Sequence, residues 1–166
     1  MPDLLMQKQN IGNAGEYYFA ARLSALNFTV TITLGRTERY DILAVSPSGK
    51  TFKFSLKTRF TTENTAFTLS ERDEKKHEKD LYYAFVRLHA FENDPEFWMI
   101  PSERVSQIIK DAHQKWRETP GKKGQAHNES SVRRLPVVVR GSDSKYYPPT
   151  WEEEMKSYRN NFKPIL

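Results

Sequence analysis

Ile11, Ala14, Tyr18, Ala21 and Ala25 recur at three- and four-residue steps, which predicts an amphipathic helix over residues 11–26 with Glu16 on its polar flank. Residues 28–34 alternate Phe, Val and Ile with Thr, the mark of a strand with one buried face, and Gly35-Arg36 closes it. Residues 40–45 and 51–58 read as two further strands. The turn formers of Ser46-Pro47-Ser48-Gly49-Lys50 join them, so they should pair antiparallel. Ser70-Glu71-Arg72-Asp73 has the form of a capping box opening a charged helix to about residue 79. A buried strand over 81–88 and a short one over 97–100 follow, the latter stopped by Pro101. Ser102 is placed to cap a helix whose apolar stripe is Val105, Ile108, Ile109, Ala112 and Trp116. Residues 119–134 form an aperiodic basic loop, residues 135–139 a last edge strand, and Thr150-Trp151-Glu152-Glu153 opens a C-terminal helix from about residue 150.

This order of elements fits a single α/β domain over residues 1–166, with a mixed central sheet flanked by helices. Charged residues make up 28% and aromatics 13%, a balance that favours a folded chain over a disordered one. The absence of cysteine excludes disulfides, thiolate metal sites and a cysteine nucleophile. No run approaches the ~18 apolar residues of a membrane span, and a cytoplasmic setting is expected. The net charge of +5 favours polyanionic partners. Residues 110–145 carry nine Lys and Arg against four acids, so the surplus sits in the C-terminal third.

Candidate chemistry lies on the first three elements. Side chains alternate along a strand, so Ser55 and Lys57 share one face and Asp41 on the neighbouring strand can meet them. A lysine among apolar neighbours needs a partner, for which Asp41 or Glu16 is available. Gly15-Glu16 on a helix, Tyr40-Asp41 on a strand and Ser55-Leu56-Lys57 on the next resemble the PD-(D/E)xK nuclease superfamily, the restriction-endonuclease-like group. Leu81 to Val86, Ile100-Pro101-Ser102-Glu103, and Gly121-Lys122-Lys123-Gly124 with His127 and Arg133-Arg134 extend the likeness to a group of small bacterial or phage proteins within it.

The resemblance implies a restriction-endonuclease-like α/β sandwich and a Mg²⁺- or Mn²⁺-dependent DNA endonuclease. Asp41 would be the main metal ligand, Glu16 would bind directly or through water, Leu56 would offer its backbone carbonyl, and Lys57 would orient the attacking water. Ser55 stands where the family has Glu or Gln, and its neutral hydroxyl is the poorer ligand for a hard cation. The alternative is a catalytically inactive nuclease-fold module that binds nucleic acid or a protein partner. Lys115, Lys122, Lys123, His127, Arg133 and Arg134 are the candidate nucleic-acid contacts, against the plainer reading of a solvated basic surface. Cutting both strands of a duplex would call for a homodimer. The plain alternative for Asp41 and Lys57 is a structural ion pair.

Overall fold

The computed structural model describes residues 7–33, 40–63, 66–121 and 123–166, with the backbone alone at Phe91 and Ser142. Its elements are α1 (Lys8–Ser24), β1 (Thr29–Ile32), β2 (Ile42–Val45), β3 (Thr51–Arg59), β4 (Phe67–Ser70), α2 (Glu71–Lys75), β5 (Leu81–Arg87), β6 (Glu96–Pro101), α3 (Ser102–Glu118), β7 (Val132–Leu135) and α4 (Trp151–Tyr158). Five strands make one mixed sheet in the order β1-β2-β3-β5-β6, antiparallel throughout except for the parallel β3–β5 pair. β4 and β7 form a separate antiparallel pair.

Strand parity explains the two cores. β5 and β6 are covered on both faces, which is why they read as nearly continuous apolar runs. Ala84, Val86, Phe97 and Met99 face one way, where they meet Phe52, Phe54 and Leu56 of β3 and Phe19 and Leu23 of α1. Tyr83, Phe85, Trp98 and Ile100 face the other way, onto Val105, Ile108 and Ile109 of α3 and Trp151 and Met155 of α4. The Phe19 ring meets Phe54 and Phe97 edge-on, both at 5.2 Å between centroids, and is fully buried. The expected sandwich, with α1 on one face of a mixed sheet and α3 on the other, is the fold observed.

Several local expectations are corrected. α1 buries Gly15, Phe19, Ala20 and Leu23 and leaves Ala21 and Ala25 exposed, because the bulkier Phe19 and Leu23 outcompete the alanine stripe for the core. The capping box at Ser70 and Asp73 forms, but its helix stops at Lys75. Continuing it would need the Glu78 N–H on the Glu74 carbonyl; instead Ser106 of α3 donates to that carbonyl and Ser102 accepts the Glu78 N–H at 3.0 Å. Ser102 is therefore a tether between α3 and this segment rather than a side-chain cap. The last strand lies over Val132–Leu135, not 135–139, because Pro136 has no N–H to continue a ladder. The helix opened at Thr150 forms without a side-chain cap bond. The end of the first expected strand falls outside the described residues.

One end of the sheet is closed by a buried ion cluster. Glu96 Oε1 accepts from Arg87 Nε at 2.7 Å and lies 2.9 Å from His89 Nε2, and Glu96 Oε2 is 2.6 Å from Arg159 Nε. Burial alone would raise the Glu96 carboxyl, but the Arg87 and Arg159 guanidiniums hold it below its ordinary value. Its contribution is thus complete at neutral pH and fades as the pH falls through the carboxylate range. Glu96→Ala leaves Arg87 buried without its carboxylate and is expected to cost about 3–5 kcal/mol in urea unfolding at pH 7, with the deficit shrinking in acid.

Candidate active site at the open edge of the central sheet

In a regular strand the N–H and C=O of one residue point to the same neighbour. Asp41 departs from this: its N–H donates to the Phe54 carbonyl of β3 at 2.8 Å, while its own carbonyl accepts the Thr33 N–H beyond β1 at 2.9 Å. A backbone turned this way behaves as a bulge, ending regular pairing and re-aiming the side chain. The β2 register stops at Phe54, whereas β3 runs on to Arg59. Asp41 Oδ2 fills the next position by accepting the Leu56 N–H at 2.6 Å. The Leu56 carbonyl shares the direction of its N–H, so it too points to this open edge.

Glu16 arrives from α1. The helix crosses β3 in close contact at Gly15, where an added Cβ would lie 1.9 Å from Thr58 Oγ1. The neighbouring Glu16 is half-buried, and its carboxyl is raised above the ordinary value by burial first and by the negative charge of Asp41 second. The two carboxylates are therefore close enough for the charge of one to act on the other.

The opposite face of β3 carries Ser55 and Lys57, in register with Tyr83 and Phe85 of β5. Lys57 Nζ pairs with Asp73 of α2, at 3.7 Å from Oδ1, rather than with Asp41 or Glu16 as expected. Asp73 is buried and held by the Ser70 N–H at 2.7 Å, the Ser70 hydroxyl at 2.9 Å and the Tyr83 hydroxyl at 2.9 Å. Burial would raise its carboxyl, but Lys57 and the Ser70 bonds bring it below the ordinary value. Lys76, just past α2, donates from Nζ to Ser55 Oγ at 3.1 Å. Burial lowers the Lys76 amine, partly offset by the charges of Asp41 and Asp73 and reinforced by that of Lys57. An ammonium thus sits at the hydroxyl of residue 55.

The carboxylates of Asp41 and Glu16, which feel each other's charge, and the Leu56 carbonyl are hard oxygens of the kind that suits one hard cation held by few protein ligands. The Ser55 oxygen accepts from Lys76. Among the described residues no three His, Asp or Glu side chains gather as a metal cluster.

Across solved structures, a bacterial homing endonuclease, I-Ssp6803I, matches with a TM-score of 0.55 at 11% identity, over 97% of this chain and 94% of that one. The chain shares that protein's fold. No family model and no curated protein matches it. Among the described residues no helix is long and apolar enough to cross a membrane.

The basic segment is divided. Lys115, Lys123 and Arg134 are exposed, the last 3.6 Å from Asp143. Arg133 is corrected as an exposed contact: it is buried, its Nε on Glu74 of α2 and its Nη1 on the Ser130 carbonyl at 2.6 Å. His127 stacks on Trp116, with ring centroids 4.0 Å apart. Lys122 lies outside the described residues.

Asp73 and Lys76 are the residues that sequence reasoning missed. Asp73 was legible only as a cap, and Lys76 only as one charge in a solvated run; the available signal was a capping acid lying in the crossover between the Lys57 strand and the next. The Gly15 contact gives a direct check. Gly15→Ala is expected to lose about 1–3 kcal/mol in chemical denaturation by overpacking against Thr58. Gly12→Ala, with open space at its Cβ, is expected to be neutral or to gain up to ~1 kcal/mol.

Proposed function

We propose that this protein is a metal-dependent DNA phosphodiesterase of the PD-(D/E)xK type, an endonuclease working at the open edge between β2 and β3. The observation that carries the reading is the convergence of Glu16 and Asp41 beside Leu56, with the re-aimed backbone of Asp41 fixing the edge. Asp41, Glu16 and the Leu56 carbonyl would hold Mg²⁺ or Mn²⁺, which when bound supplies Lewis acidity and an acidified water. Lys57, anchored by Asp73, orients the attacking water and offsets the charge that grows on the phosphate. Asp73 is a positioning residue, itself fixed by Ser70 and Tyr83. Lys115, Lys123 and Arg134 are the exposed cations assigned to backbone phosphates. One such site nicks one strand, and a two-fold dimer would serve both.

A second reading, a nuclease fold that binds without cutting, is favoured by Lys76. Its ammonium on Ser55 already sets a positive charge beside Asp41, where the family places a further oxygen ligand.

Supercoiled-plasmid cleavage separates the two. The enzyme reading expects nicking with Mg²⁺ or Mn²⁺, none in EDTA, and at least about 10²-fold loss in Asp41→Asn and Lys57→Ala. If the wild type is silent, Ser55→Glu alone should stay silent, because its carboxylate pairs with Lys76. Ser55→Glu combined with Lys76→Ala should then cut, which would identify a nuclease site closed by Lys76; silence from the double variant would leave the binding reading.

A further inference from the structure

A cavity of about 490 Å³ opens beside the carboxyl half of α3, within the roughly 300–1,000 Å³ range of small-molecule sites. One wall is a stack of rings: His113 lies 5.3 Å from Trp116 at 25°, and Trp116 lies 4.0 Å from His127 at 26°. Tyr146 adds a further ring, with Lys145 Nζ 5.1 Å from its centroid. Arg134 and Lys145 line the same cavity and are both exposed. His113 Nε2 is buried and has no hydrogen-bond partner among the described residues. Burial, and then the charge of Arg133, hold this imidazole below its ordinary value.

A wall of rings and the cations Lys145 and Arg134 at the opening, the latter 3.6 Å from Asp143, are complementary to a heteroaromatic ring that carries a negative charge. We infer that this cavity takes a single unstacked nucleotide, its base against the ring wall of Trp116, His127 and Tyr146 and its phosphate at Lys145 and Arg134. The assignment rests on the nucleic-acid reading proposed above and narrows it: the substrate is a nucleic acid with an unpaired base, at a loop, flap or frayed end. α2 links the two places, since Asp73 meets Lys57 of β3 while Glu74 holds Arg133 in the cavity wall. Nothing in the cavity uses Glu16, Asp41 or Lys57, so binding here is independent of cleavage.

The test is run in EDTA with the full chain. Trp98 and Trp151 are fully buried, so Trp116 is the tryptophan a ligand can reach and its fluorescence reports the cavity. The expected result is quenching by an eight-residue oligothymidylate and by thymidine monophosphate, and little by inorganic phosphate or by a blunt duplex. With a labelled oligothymidylate read by anisotropy, Trp116→Leu and Lys145→Glu should each weaken binding about 10-fold or more. Lys145 is an exposed side chain, so its variant keeps the test open if Trp116→Leu fails to fold. Unchanged oligothymidylate affinity in the folded variants would overturn the assignment, as would phosphate competing as well as the nucleotide, which would mean an anion site only. Because no metal is present, absence of nuclease activity leaves a positive result standing, and loss of nucleotide binding leaves the carboxylate edge untouched.

Discussion

Asp41 gives its N–H to β3, its carbonyl to the end of β1 and its carboxylate to the Leu56 N–H, so three strands are fixed through one residue. Because the N–H and carbonyl point in opposite directions, β2 cannot continue as a regular ladder past this point. The gap so created is polar by construction, since a strand stripped of its neighbour presents its own amides and carbonyls. A carboxylate that satisfies the Leu56 N–H removes one unpaired donor and leaves the adjacent carbonyl as an acceptor at the same edge. The approach of α1 at Gly15 then decides how far a second carboxylate can reach.

Much of this was legible in the chain itself. The alternation 52, 54, 56 against 53, 55, 57 separates core from chemistry on β3 without any tertiary information, and the apolar runs of β5 and β6 announce strands covered on both sides. Periodicity failed where several residues competed for one role. In α1 an evenly spaced alanine set suggested one face, while burial followed the larger Phe19 and Leu23. The partner of Lys57 was illegible because Asp73 reaches it through a crossover whose short helix is cut off by hydroxyls of α3, far along the chain.

Charge was the least faithful guide. The basic surplus of residues 110–145 suggested a continuous gripping surface, yet Arg133 serves the interior and faces Glu74. Lys76, outside that segment, donates to Ser55 beside the candidate chemistry. Formal charge counts cannot separate a guanidinium that braces two elements from one that meets solvent; burial and partner decide it. The same holds for Ser55, whose small side chain leaves room for the Lys76 ammonium in a place where a longer acid would have met it as an ion pair.

The β4–β7 pair has a consequence for the order in which the chain can acquire its final form. β4 leads directly into α2, and α2 is held from the other end of the sequence: the Glu71 N–H donates to the Ser131 carbonyl at 2.9 Å, and Glu74 binds Arg133. Contacts between segments so distant in sequence carry a loop-closure cost and form late. During synthesis the Asp41 edge, and the Asp73 partner of Lys57 that Ser70 and Tyr83 hold, draw only on residues 7–87, but α2 gains its brace at Glu71 and Glu74 only when residues 131–135 have docked. The brace on α2 is in effect a latch that the C-terminal part of the chain closes over a site built from its first half.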